Sequence, residues 1–140
     1  MVINGSSSLF AVIGKPIAQS ASPRMHNKQF SKLNLDMAYV PLLIEEAEFD
    51  AAIKGLIALN FKGFNITVPY KEKILPYLHT IDEQAKKMGA VNTVLIKDGQ
   101  LQGYNTDGMG FLYALEQLHK YAVKGKKLCI LGAGGTACGL

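Results

Sequence analysis

The chain has 140 residues, a length suited to one compact domain. It is 49% hydrophobic, which excludes a disordered chain, and no apolar run reaches the length of a membrane span. The formal charge is +4, from 15 Lys+Arg against 11 Asp+Glu, and the basic residues are spread out. Their one tight cluster, Lys124, Lys126 and Lys127, has no interleaved aromatic residues to stack bases. That argues against nucleic acid and for a small anionic ligand.

Met1 to Ser8 is polar and lacks the basic, apolar pattern of a signal peptide. Leu9 to Gly14 is a short apolar run ending in glycine, consistent with a buried strand. The stretch from Gly14 to Pro23 is rich in turn formers, and Ser22 and Pro23 read as N-cap and N1 of a helix that runs to about Leu33. Met37 to Ile44 predicts a second strand, with Pro41 tolerated near an edge. Glu45 to Asn60 predicts a helix, with Phe49, Ile53, Leu56 and Ile57 on one face.

Lys62 to Thr67 predicts a strand that Pro69 stops. Short helices are expected over Lys71 to Leu78 and Thr80 to Met88, the second opened by a Thr80–Glu83 capping box. Ala90 to Ile96, the turn Lys97-Asp98-Gly99, and Gln100 to Tyr104 read as a hairpin. Asn105-Thr106-Asp107-Gly108 starts a helix, striped by Phe111, Leu115 and Leu118, that ends near Lys120. Lys127 to Leu131 predicts a strand, and Gly132-Ala133-Gly134-Gly135-Thr136-Ala137 a glycine-rich turn opening a helix.

Alternation of strand and helix implies an α/β fold: a mainly parallel sheet with one antiparallel strand, helices on both faces, and the start of a Rossmann domain at the C-terminus. One βαβ unit takes about thirty residues, so the expectation is a chain that stops at the threshold of a second domain. The predicted division is 1–104, a linker helix over 105–125, and 126–140. Cys129 and Cys138 do not suggest a disulfide framework, and thiols without a signal segment point to the cytoplasm.

Several stretches carry polar groups where ligands bind in such folds. Asn65 and Thr67 fall on one side of an extended segment, with Lys71 close behind. Ser20 and Ser22 precede a helix N-terminus; they make a carboxylate site, or else a cap and a turn. Asn92 is either a ligand for a hydroxyl or a turn amide. Asp107 caps a helix or places a carboxylate at a strand-to-helix corner, where it would pair with Lys71 for proton transfer. The backbone N–H groups of Gly132 to Ala137 suit a pyrophosphate, the plainer reading being a tight turn. His26, His79 and His119 are isolated, so no metal site is expected.

Gly14-Lys15-Pro16-Ile17, Ser20-Ala21-Ser22-Pro23, His26-Asn27, Asn65-Ile66-Thr67-Val68-Pro69-Tyr70-Lys71, Gly89-Ala90-Val91-Asn92-Thr93 and Asn105-Thr106-Asp107-Gly108 occur in an order and spacing that resemble the shikimate dehydrogenase family. Gln19 departs from the histidine often found there. The resemblance implies a substrate domain followed by an NADP-binding Rossmann domain, and reversible reduction of 3-dehydroshikimate to shikimate in aromatic amino acid biosynthesis. It implies that Ser20 and Ser22 bind the substrate carboxylate. Asn65, Thr67, Asn92 and Asp107 would hold the ring hydroxyls, and Lys71 would be the acid/base with Asp107 beside it. Gly132, Ala133, Gly134, Gly135, Thr136 and Ala137 would begin the NADP site.

The expectation is a substrate-binding half, inactive alone. Its partners would be shikimate and 3-dehydroshikimate, with neither nucleic acid nor membrane, and with self-association through Phe111, Leu115 and Leu118. A quinate/shikimate dehydrogenase and a non-catalytic module that binds a small hydroxy-acid are the alternatives.

Overall fold

The structure, a computed structural model, describes residues 3–122, 124–127 and 129–132. In chain order the elements are β1 (Ser8–Gly14), α1 (Ser22–Lys32), β2 (Met37–Leu43), α2 (Phe49–Ala58), β3 (Gly63–Ile66), β4 (Thr80–Ile81), α3 (Glu83–Met88), β5 (Thr93–Lys97), β6 (Gln100–Tyr104) and α4 (Asp107–Tyr113). The last continues as one π-helical turn, Ala114–Leu118. The six strands form one sheet of order β2-β1-β3-β5-β6-β4. β5 runs against both of its neighbours, and every other pairing is parallel. The mainly parallel sheet with one antiparallel strand is therefore as expected.

β1 shows why the sheet is covered on both sides. Ala11, Val12 and Ile13 are all at most 3% exposed, so neither face of the strand meets water. Ala11 and Ile13 join the larger core with Phe49, Ile53 and Leu56 of α2, and with Ala85 of α3. Val12 packs on the opposite face with Ile17 and Tyr39, closed by Phe10 and by Phe30 of α1. Pro41 lies on the edge strand β2, opposite Val12, where its missing N–H costs no inner ladder bond. The β5–β6 hairpin turns through Asp98 and Gly99, both at positive φ (52° and 74°), which matches the twist of the flanking strands.

Four local expectations change. Ser22 is the first residue of α1 rather than its cap; Ala21 is the cap and makes no side-chain bond. Lys71 to Leu78 is not an α-helix but a run of turns with a single 3-10 turn at Leu75–Tyr77. Val91 N–H takes the Lys71 carbonyl at 2.9 Å, and Pro76 has no N–H to continue a helical ladder. Thr80 is drawn into β4 beside β6, and Asp82 caps α3 instead, accepting from Gln84 N–H at 3.0 Å. Residues 127 and 129–131 are not in a strand and are exposed, since no neighbouring strand pairs with them among the described residues. Ala133 to Ala137 lie outside the described residues.

Candidate active site

The backbone around Lys71 is fixed from both sides. Tyr70 is fully buried; its hydroxyl donates to the Ile44 carbonyl at 2.6 Å and its ring lies 4.7 Å from that of Phe49. The Lys71 carbonyl is held by Val91. Just before it, Thr67 N–H donates to the Ile13 carbonyl and Lys15 N–H to the Val68 carbonyl. A β-carbon on Gly14 would stand 2.4 Å from the Thr67 methyl carbon, so only glycine lets Thr67 lie against the end of β1. Lys71 is thereby aimed across the ends of β3 and β5, and is only 9% exposed.

Its partner comes from the β6–α4 corner. Asn105, buried, donates from its amide to the Ala90 carbonyl at 2.9 Å and accepts Asp107 N–H at 3.0 Å. Asp107 is the first residue of α4, not its cap, in a first turn that favours an acidic side chain. Its Oδ2 lies 2.6 Å from Lys71 Nζ, and its Oδ1 accepts from Asn92 Nδ2 at 2.6 Å. The two side chains are 11% and 28% exposed, which shields the pair from solvent while leaving the carboxylate reachable.

Asn92 spends its whole amide on this corner. Nδ2 also donates to Thr106 Oγ1 at 2.9 Å, and Oδ1 accepts from Thr106 N–H at 3.0 Å and from the Thr93 hydroxyl at 2.8 Å. Asn65 is similarly occupied: Nδ2 donates to Thr93 Oγ1 at 2.9 Å, and Oδ1 accepts from the Tyr39 hydroxyl at 2.6 Å. No fully buried side-chain N or O atom lacks a partner among the described residues.

These groups line a cleft of about 580 Å³. Ser22, Met25 and His26 of α1 form one side, and Asn65, Ile66, Thr67 and Lys71 the floor. Asn92, Thr93, Thr106 and Asp107 form the other side. Of the residues singled out in the sequence for a substrate, all but Ser20 line this cleft. Ser20 Oγ accepts Ser22 N–H at 3.3 Å. Burial holds the His26 imidazole below its usual pKa of 6.5, so the cleft wall it forms is neutral near pH 7.

Tyr39, Thr93 and Thr106 were not singled out. Thr93 is recoverable only once β3 and β5 are paired, because their register sets Asn65 opposite Thr93. Tyr39 reads as a plain apolar strand residue, and nothing local in the sequence marks its hydroxyl as a contact to a residue 26 positions away. Of the glycine motif, Gly132 is described, at φ 124° with nothing within 4 Å of where a β-carbon would stand. Among the described residues no cluster of His, Cys, Asp or Glu could hold a metal ion, and no helix is long and apolar enough to cross a membrane.

Residues 12–94 match the family model described as the shikimate dehydrogenase substrate binding domain. The chain is 48% identical over 137 residues to a shikimate dehydrogenase (NADP(+)) of Carboxydothermus hydrogenoformans, covering 98% of this chain and 49% of that protein. The crystal structure of shikimate dehydrogenase from Aquifex aeolicus superposes with a TM-score of 0.95 at 41% identity, covering 99% of this chain and 52% of that one. The shikimate 5-dehydrogenase of Thermus thermophilus, solved in complex with NADP(H) and shikimate, gives 0.88 at 38% identity, covering 95% and 50%. The chain thus spans about half the length of the relatives it matches.

Proposed function

Because the chain belongs to the shikimate dehydrogenase family, we propose that it forms the substrate-binding half of an NADP-dependent enzyme that interconverts 3-dehydroshikimate and shikimate. The observation that carries this reading is the shielded Lys71–Asp107 pair, 2.6 Å apart in a cleft that also presents the hydroxyls of Ser22, Thr67, Thr93 and Thr106 and the amides of Asn65 and Asn92. We assign residues 1–104 to the substrate-binding unit, 105–125 to the linker and 126–140 to the start of the cofactor-binding unit.

In the reductive direction the ring carbonyl carbon gains a hydride and its oxygen a proton. Lys71 Nζ carries that proton, and its positive charge stabilises the oxygen as negative charge develops. Asp107 holds the ammonium in place, and Asn92 fixes the other carboxylate oxygen so that Oδ2 stays turned to Lys71. In the oxidative direction the neutral amine accepts the hydroxyl proton. Ser22, near the N-terminus of α1, and Thr67 offer hydroxyl donors to the substrate carboxylate and ring hydroxyls. Ser20 acts on the same carboxylate through the loop it shares with Ser22.

NADP, when bound, would supply or take the hydride. Gly132 to Ala137 would hold its pyrophosphate; the open surroundings and the positive φ of Gly132 fit a backbone turn that approaches a ligand closely.

Calorimetric titration of the 140-residue chain with shikimate is the test. Saturable binding is expected, lost in Thr67→Val and weaker for quinate. No heat at millimolar shikimate from a folded chain would overturn the reading.

A further inference from the structure

Tyr39 does not line the cleft, yet a line of hydrogen bonds joins it to Asp107. The Tyr39 hydroxyl donates to Asn65 Oδ1 at 2.6 Å, and Asn65 Nδ2 donates to Thr93 Oγ1 at 2.9 Å. Thr93 Oγ1 donates to Asn92 Oδ1 at 2.8 Å, and Asn92 Nδ2 donates to Asp107 Oδ1 at 2.6 Å. Every link points the same way, donor to acceptor, and the line ends on a carboxylate. Bonds aligned head to tail polarise one another, and a negative terminus reinforces each of them.

The line has an anchored start. Tyr39 N–H and its carbonyl are both bonded to the Asn27 amide of α1, at 2.9 and 2.8 Å. The His26 ring stacks on its ring at 4.3 Å. Tyr39 is 4% exposed, so its phenol has no water to turn to. An Asn amide has two orientations that swap donor and acceptor. At Asn65 the Asn92 carbonyl, which can only accept, takes Nδ2 at 3.2 Å and turns the NH₂ toward β5, so Oδ1 faces the phenol and takes its proton. Thr93, accepting from Asn65, gives its own proton to Asn92 Oδ1, which also takes Thr106 N–H, and Asn92 Nδ2 faces Asp107.

We propose that Tyr39 is a positioning residue whose hydroxyl, through the aligned bonds of Asn65, Thr93 and Asn92, strengthens the hydrogen bond by which Asn92 holds the Asp107 carboxylate toward Lys71. This rests on the roles given above to Lys71 and Asp107 and extends them from α4 back to β2. Lys71 is the charged group bonded to Asp107, and His26 of α1 faces the same cleft.

The test reads solvent exchange of the Asn92 side-chain amide protons in the isotope-labelled 140-residue chain. In the unsubstituted chain both protons are donated, and exchange is slow. In Tyr39→Phe it is expected to be about tenfold faster, with the backbone spectrum of β1 and α2 retained. Thr93→Val cuts the line one link nearer Asp107 and gives at least the same acceleration. Adding Tyr39→Phe to Thr93→Val brings no further change, because the line is already broken.

In the enzyme turning over shikimate, either variant lowers kcat more than it raises KM. Unchanged Asn92 exchange in folded Tyr39→Phe, full additivity in the double variant, or an effect confined to KM overturns the proposal. If Tyr39→Phe does not fold, Thr93→Val decides alone, and slow exchange there overturns it. Exchange is read without substrate, so failure of the proposed activity leaves this result standing, and the reverse also holds.

Discussion

The face of the sheet under α2 and the corner where β3, β5 and α4 meet are built by opposite means. Under α2, Phe49, Ile53 and Leu56 meet Ala11, Ile13, Phe64 and Ile66 with apolar volume alone. At the corner stand the three polar side chains that are buried among the described residues: Lys71, Asn92 and Asn105. The first region gains stability from area removed from water, and almost any shape-conserving change is tolerable there. The second gains specific orientation, and its groups are committed pairwise, so the loss of one leaves another unsatisfied. Tyr70 joins the two. Its ring belongs to the core, and the next residue is Lys71.

The sharpest way to break that contrast is to remove the lysine and leave the core intact. On the proposed function, Lys71→Met in an enzyme completed by its cofactor-binding half is expected to lower kcat for shikimate oxidation by about 10²–10⁴-fold, the usual worth of a positioned acid/base. The same change costs only about 1–3 kcal/mol of unfolding free energy in urea, since Asp107 keeps its bond from Asn92 and stays partly in water. A stability loss as large as that of a core truncation would mean the corner holds the fold together, and the contrast would fail.

Phe49→Ala is the converse. Phe49 is 1% exposed, with Tyr70 and Tyr77 rings at 4.7 and 5.5 Å. Its truncation is expected to cost about 3–5 kcal/mol by urea denaturation. Shikimate affinity per folded molecule should stay within about twofold, because no atom of Phe49 reaches the cleft. A large drop in affinity at full folding would show that Tyr70 transmits core packing to Lys71.

How much of this was legible in the sequence follows the same divide. Patterns with a local period came through. The α2 stripe, the apolar run of β1, the Asp98-Gly99 turn and the single reversed strand were each fixed by neighbours in the chain. Ends and caps were less legible. Thr80–Glu83 has the right residue types for a capping box, but pairing of β4 with β6 claims Thr80, and Asp82 serves instead. A helix over Lys71 to Leu78 fails because Val91, twenty positions on, takes a carbonyl the helix would need. In the site, residue types that sit in recognisable short stretches were found. Tyr39 was not, because its significance lies in a register between strands that no local pattern records.

The smallest expected effect tests whether the α1 side of the cleft behaves as core or as corner. His26 is half-buried, stacked on Tyr39 at 4.3 Å and tilted against Phe30 at 6.0 Å. A cationic imidazole over the phenol face would gain cation–π attraction, which favours protonation. Burial acts the other way and prevails, holding the pKa below 6.5. The unfolded chain therefore takes up a proton at a higher pH than the folded one. This contribution to stability is complete above pH 6.5 and is lost as pH falls from there to the folded value.

The measurement is the urea midpoint at about pH 7.5 and about pH 5.5, on either side of the ordinary histidine range. The unsubstituted chain should lose stability over that step, and His26→Phe, which keeps the stack and removes the proton, should lose less. An equal loss in both would mean that His26 is as free to protonate when folded as when unfolded. The α1 wall of the cleft would then belong with the solvated surface rather than with either buried region.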